Sequence, residues 1–151
     1  MAETTKIRKR SEIPVEDTWA TEDLFVSDEA WEQELATVGA DKEKLQSFAG
    51  RLAESADVLY EYLTFMEAMD EKISLLASYC MRKGDEDTRN STYQAMTGKF
   101  RSVMVKIGSD CSFATPELMA ISDEDMDRFY AEKPELERYR RYLTNMRRRK
   151  A

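Results

Sequence analysis

Apolar residues recur most regularly between Leu59 and Cys80, where Leu59, Tyr62, Met66, Met69, Ile73, Leu76 and Cys80 follow one another in alternating steps of three and four. That spacing puts all seven on one stripe of a helix. Val58, Phe65 and Tyr79 flank the stripe on one side and Leu63 and Ala77 on the other. The apolar face is therefore wider than a two-stranded seam and predicts a central helix with more than one neighbour. Arg82 and Lys83 suit the negative pole of its dipole, and Gly84 is placed for a left-handed cap, so the helix is predicted over about 55–84. A polar connection from Asp85 to Asn90 leads to a second stripe, Tyr93, Met96, Phe100, Val103, Met104, Ile107 and Cys111. The two segments predict an antiparallel hairpin, with the second helix over about 88–113.

Weaker periodicity flanks the hairpin. Ser27 before Asp28-Glu29 reads as an N-cap with acids in the first turn, and Trp31, Leu35, Val38, Leu45 and Phe48 predict a helix over about 28–49. Gly39 interrupts that stripe, and Gly50 is placed to end the segment. Residues 1–26, with Ile13-Pro14-Val15, predict a largely irregular arm, which Trp19, Phe25 and Trp31 could pin down. Thr115-Pro116, Ser122-Asp123 and Lys133-Pro134 are start signals for helices over about 116–120, 123–132 and 135–150. The expected fold is an all-α single domain over residues 27–151. Its last helix meets no Gly, Asn or Pro stop after Arg147, which suggests a chain truncated before a further domain.

Composition agrees with helix, since the 151 residues hold only five Gly and three Pro. The net charge of -7 speaks against nucleic acid as a partner. The charge is uneven: Ser11 to Asp70 carries 16 acidic and three basic residues, whereas Arg138 to Lys150 carries seven basic and no acidic ones. Solvated helix faces and a polar docking surface both fit that gradient. No apolar run is long enough for a membrane span, and Lys6 to Arg10 is not followed by a signal-peptide core, so no membrane partner and a cytoplasmic location are expected. On an antiparallel hairpin Cys80 and Cys111 lie about 28 Å apart along the axis, far too distant for a disulfide.

There is no histidine, which removes the usual catalytic zinc sites and the Ser-His-Asp and Cys-His arrangements. Asp123, Asp125 and Asp127 alternate as calcium ligands do, but Arg128 and Pro134 stand where such a loop needs Gly and Glu. Neither a Gly-rich phosphate loop nor a CxxC pair occurs. No catalytic, cofactor-binding or metal-ligating residue is expected. The nine methionines fall mostly on predicted core faces, although an adaptable peptide-binding surface would use them too.

A set of short motifs nevertheless occurs in a distinctive order. They are Arg10-Ser11-Glu12-Ile13-Pro14, Thr18-Trp19, Asp23-Leu24-Phe25, Ser27 and Trp31, then Phe48-Ala49-Gly50-Arg51-Leu52 and Asp85-Glu86-Asp87-Thr88-Arg89. Phe113, Pro116-Glu117-Leu118 and Tyr139-Arg140-Arg141-Tyr142-Leu143 complete it. In order and spacing this resembles the N-terminal region of the oligoendopeptidase F type of zinc metallopeptidase, peptidase family M3. The resemblance implies a non-catalytic helical domain of a cytoplasmic enzyme that degrades oligopeptides in an enclosed channel. The zinc would be held by a His-Glu-x-x-His helix and a later Glu, none of which this chain contains.

The implied partners are the absent C-terminal catalytic domain and, through the parent, an oligopeptide substrate. Phe65 and Tyr79 beside the seam and Tyr142 in the last motif are the candidate partner-interface residues. A severed domain would also leave apolar surface exposed, so self-association of the isolated chain is expected. A different reading of the same residues is a free-standing interaction or dimerisation module acting through the Leu59 to Cys80 seam.

Overall fold

The computed structural model describes Arg8 and residues 12–148. The start of the arm, the first two residues of the Arg10 motif and the chain end from Arg149 to Ala151 lie outside the described residues. Seven α-helices run α1 (Asp28–Ala40), α2 (Lys42–Gln46), α3 (Ala56–Glu86), α4 (Ser91–Asp110), α5 (Ala114–Ala120), α6 (Asp123–Glu132) and α7 (Arg140–Arg147), with no strand among the described residues. The all-α expectation holds. Short 3-10 turns occupy Val15–Asp17 and Thr21–Asp23 in the arm and Pro134–Tyr139 before α7.

α3 is the axis of the molecule. Ser55 caps it by accepting a hydrogen bond from the Val58 amide at 3.2 Å, and α4 returns along it after a four-residue connection. α1 packs against both helices. A methyl group at Gly39 would stand 3.7 Å from Val103 Cγ1, so α1 can come close to α4 there. This packing encloses one core, in which Trp31, Leu76 and Cys80 are fully buried and Met69, Tyr79, Met96 and Phe100 nearly so. A second core forms where α5, α6, the 134–139 turn and α7 cover the first half of α3, around Leu52, Leu59, Leu118, Phe129, Leu136 and Leu143. The wide apolar face of α3 is thus divided between two groups of neighbours.

Several boundaries depart from expectation, each for a local reason. The 28–49 segment is two helices, because Asp41 leaves helical geometry (φ -70°, ψ 8°) between α1 and α2. Gly50 does adopt a left-handed conformation, φ 79°, at the end of the segment. Gly84 does not end α3. The stop comes at Asp87, which is extended and turns its carboxylate onto Arg89, accepting from the Arg89 amide and Nε at 3.0 Å each. α5 begins at Ala114 instead of after Thr115, which leaves Pro116 in the first turn, where a missing N–H has no helical partner to lose. The final segment is a 3-10 turn followed by the eight-residue α7. Ser27 and Ser122 cap α1 and α6 as read, accepting from Ala30 N at 3.2 Å and Asp125 N at 3.0 Å. Both cysteines are free thiols, Cys80 buried and Cys111 half-buried.

Candidate partner interface

The motif residues of the arm and α1 clamp onto α3. Trp31, fully buried, donates from Nε1 to the Leu76 carbonyl at 2.8 Å. Tyr79 answers from α3, its hydroxyl donating to Asp28 Oδ1 at 2.8 Å while Phe25 packs edge-on to its ring at a centroid distance of 5.5 Å. Trp19 stays half-exposed under the Arg82 guanidinium, 4.9 Å from its ring.

A second tie joins two motifs far apart in the chain. The Glu117 carboxylate at the start of α5 accepts from the Gly50 amide at 2.5 Å and from the Leu52 amide at 3.2 Å. The left-handed turn at Gly50 belongs to the loop whose N–H groups meet that single side chain. At the other end of the second core, Glu67 on α3 accepts from the Tyr139 hydroxyl at 2.7 Å and from Arg138 at 2.5 Å, which fastens the 134–139 turn to the axis.

The three candidate interface residues lie in different places. Tyr79 is 2% exposed and committed to Asp28 and Phe25 within the chain's own core. Phe65 is half-buried where the two cores meet, its ring 5.9 Å from that of Phe48. Tyr142 alone is open, 52% exposed on the side of α7 away from buried Leu143. Asp70, exposed on α3, is pushed up from the usual carboxylate range by partial burial, and its charge in turn helps raise Tyr62, Cys111 and Tyr142. Asp70 therefore neighbours the last turn of α4 and the open side of α7, a place the sequence did not single out. Elsewhere Leu75 and Met81 on α3 and Val105 on α4 are large exposed apolar side chains, single residues and not a continuous patch.

The buried tyrosines make a pH prediction. Burial, helped by the hydrogen bond to Glu67, raises Tyr139 to about 12, and burial raises Tyr62 and Tyr79 in the same direction. Folded-state values above the unfolded value of about 10 mean that stability is fully present below pH ~10 and is lost as pH rises through the folded values. The urea midpoint should hold steady up to about pH 10 and then fall, with tyrosinate absorbance appearing together with unfolding. Titration of all seven tyrosines near the ordinary value with the fold intact would contradict this burial.

Zinc, which the resemblance implies for a longer parent, does not fit these residues. The chain has no histidine, and among the described residues no three Cys, Asp or Glu side chains converge as a metal site. Nor is any helix of the described residues long and apolar enough to cross a membrane.

Comparison with known proteins agrees with the motif order. The family described as Oligopeptidase F matches residues 117–151. Oligopeptidase PepF of Bacillus subtilis (strain 168) is 38% identical over 142 residues, covering 92% of this chain and 21% of that protein. The chain belongs to the oligoendopeptidase F family. It corresponds to the N-terminal domain of such a protein and spans about a fifth of the length of the curated relatives it matches. The plasmid-encoded oligoendopeptidase F of Lactococcus lactis subsp. cremoris is 29% identical over 133 residues, covering 87% of this chain and 22% of that relative.

Solved structures share the fold. The crystal structure of oligoendopeptidase-F from Enterococcus faecium superposes with a TM-score of 0.71 at 24% identity, covering 80% of this chain and 24% of that one. A Chlamydophila abortus protein assigned as a peptidase gives 0.83 at 23% identity, covering 95% of this chain and 24% of that one.

Proposed function

We propose that this chain is the non-catalytic N-terminal domain of a zinc metallo-oligoendopeptidase that acts on short peptides in the cytoplasm. In this reading it forms part of the wall of the substrate channel and restricts what enters. The supporting observation is the 38% identity over 92% of the chain to an oligopeptidase of which it spans only 21%. Zinc and the groups that activate water would come from the remainder of the parent, and this chain would supply shape. A wall must resist deformation, and the described helices are tied across long sequence separations by Trp31 to Leu76, Tyr79 to Asp28 and Glu117 to Leu52. Tyr142 and Asp70, open at the α3–α7 side, are the residues we assign to contact with the catalytic remainder.

The reading is tested by preparing the full-length parent with and without this domain and comparing hydrolysis of a short quenched peptide with hydrolysis of a folded protein. Discrimination between the two should weaken or peptide hydrolysis collapse when the domain is removed. Unchanged activity and unchanged size selection would sink the proposal.

A further inference from the structure

Between α6 and α7 lies an open groove of about 430 Å³ whose walls include Asp127, Tyr130, Arg140, Thr144, Arg147 and Arg148. Arg140, Thr144 and Arg148, spaced four residues apart, also line a second hollow of about 610 Å³, together with Arg141. The three form a ridge along one face of α7 with a hollow on each side.

The guanidinium groups on this ridge are in different states. Arg140 lies 3.7 Å from the centre of the Tyr130 ring and is held by both oxygens of Glu137, at 2.6 and 2.5 Å. Arg147 is mostly buried and pairs with Asp123 through Nη2, but its Nη1 is out of contact with water and has no hydrogen-bond acceptor. A buried N–H without an acceptor costs on the order of 1–3 kcal/mol. Arg141 and Arg148 are exposed and have no ion-pair partner among the described residues. The groove thus holds unspent donor capacity and an aromatic floor in one place.

We propose that the α6–α7 groove binds the carboxylates of an acidic peptide segment. Guanidinium forks pair with carboxylates in a planar two-bond geometry, so Arg141, Arg148 and the free edge of Arg147 select for acceptors of that shape. A continuous polyphosphate is disfavoured, because Asp123, Asp127 and Glu137 stand among the arginines and the chain as a whole carries -7. Carboxylates spaced along a peptide can meet the arginines one at a time, while Tyr130 and Met126 receive the apolar part of the segment. The inference does not depend on the channel role, since the groove is formed within this chain.

The test titrates the 151-residue chain at low salt with a short acetylated and amidated peptide alternating Glu and Ala, with the Gln version of that peptide and with inorganic phosphate as comparisons. Backbone amide shifts are followed by NMR, and affinity by calorimetry. The Glu peptide should bind with shifts centred on Thr144 and Tyr130, weaken with salt, and weaken about tenfold for each of Arg141→Glu and Arg148→Glu. Both arginines are exposed, so a matching thermal melt confirms that each variant folds. Absence of Glu-peptide binding, equal binding of the Gln peptide, phosphate binding at the groove without the peptide, or full affinity in Arg148→Glu would each overturn the proposal.

Discussion

Replacing Trp31 by Ala is expected to cost about 3–5 kcal/mol, the range for removing a large buried aromatic from a core. Trp31 is fully buried between α1 and α3, and its Nε1 is the donor to the Leu76 carbonyl, so the change empties a large volume and also strips an acceptor of its partner. For a domain of this size the melting temperature should fall by roughly 10 °C, and the urea midpoint should fall with an unchanged m-value. Trp31→Phe separates the two contributions. It keeps most of the packing and loses the hydrogen bond, so its cost should be nearer 1–2 kcal/mol. Equal costs for the two variants would mean that the hydrogen bond, and not the volume, carries the α1–α3 clamp.

Glu117→Ala should be the next most damaging change, at about 2 kcal/mol, because one carboxylate holds two backbone N–H groups of the 50–52 loop. The Gly50 amide is exposed and can turn to water, so most of the loss arises at the half-buried Leu52 amide, whose side chain is fully buried in the second core. Glu117→Gln retains one acceptor and should lose about half as much. Amide hydrogen exchange gives the specific readout: Gly50 and Leu52 should exchange faster in Glu117→Ala while the amides of α4 keep their protection. Uniform acceleration across the chain would show instead that the contact acts through global stability alone.

These two residues also mark what a sequence can reveal. Ser27 and Ser122 could be read as caps because a cap and its target amide are three residues apart, and the α3 stripe was legible because its period is local. Gly84 misled for the same local reason. A glycine near basic residues resembles a cap, but the side chain of Asp87 seizing Arg89 ends α3 three residues later. Glu117 looked like an ordinary first-turn acid, since nothing in its neighbourhood encodes amides 65 and 67 residues away. Only the motif order, Phe48 to Leu52 and then Pro116 to Leu118, flagged both ends of that contact.

Tyr79 and Tyr142 make the same point about the interface. The breadth of an apolar helix face reports how many neighbours a helix has, not whether they belong to its own chain. Tyr79 spends its ring on Phe25 and its hydroxyl on Asp28, whereas Tyr142 remains open because the alternation on α7 buries Leu143 beside it. Asp70 escaped notice because a single acid on a helix carrying many others has no distinguishing pattern. Its proximity to Tyr142 arises only when α7 folds back onto α3.

The central claim, that this chain serves as the access-restricting N-terminal domain of an oligoendopeptidase, is most directly tested by a domain exchange. The matching 142-residue stretch of the Bacillus subtilis relative, 38% identical to this chain, is replaced by the corresponding residues of this chain. Cleavage of a short quenched peptide and of a folded protein is then measured side by side. The account predicts that the exchanged enzyme folds, cleaves the peptide at a rate comparable to the parent and still leaves the folded protein intact. An exchanged enzyme that folds normally but cuts the folded protein as readily as the peptide would contradict it.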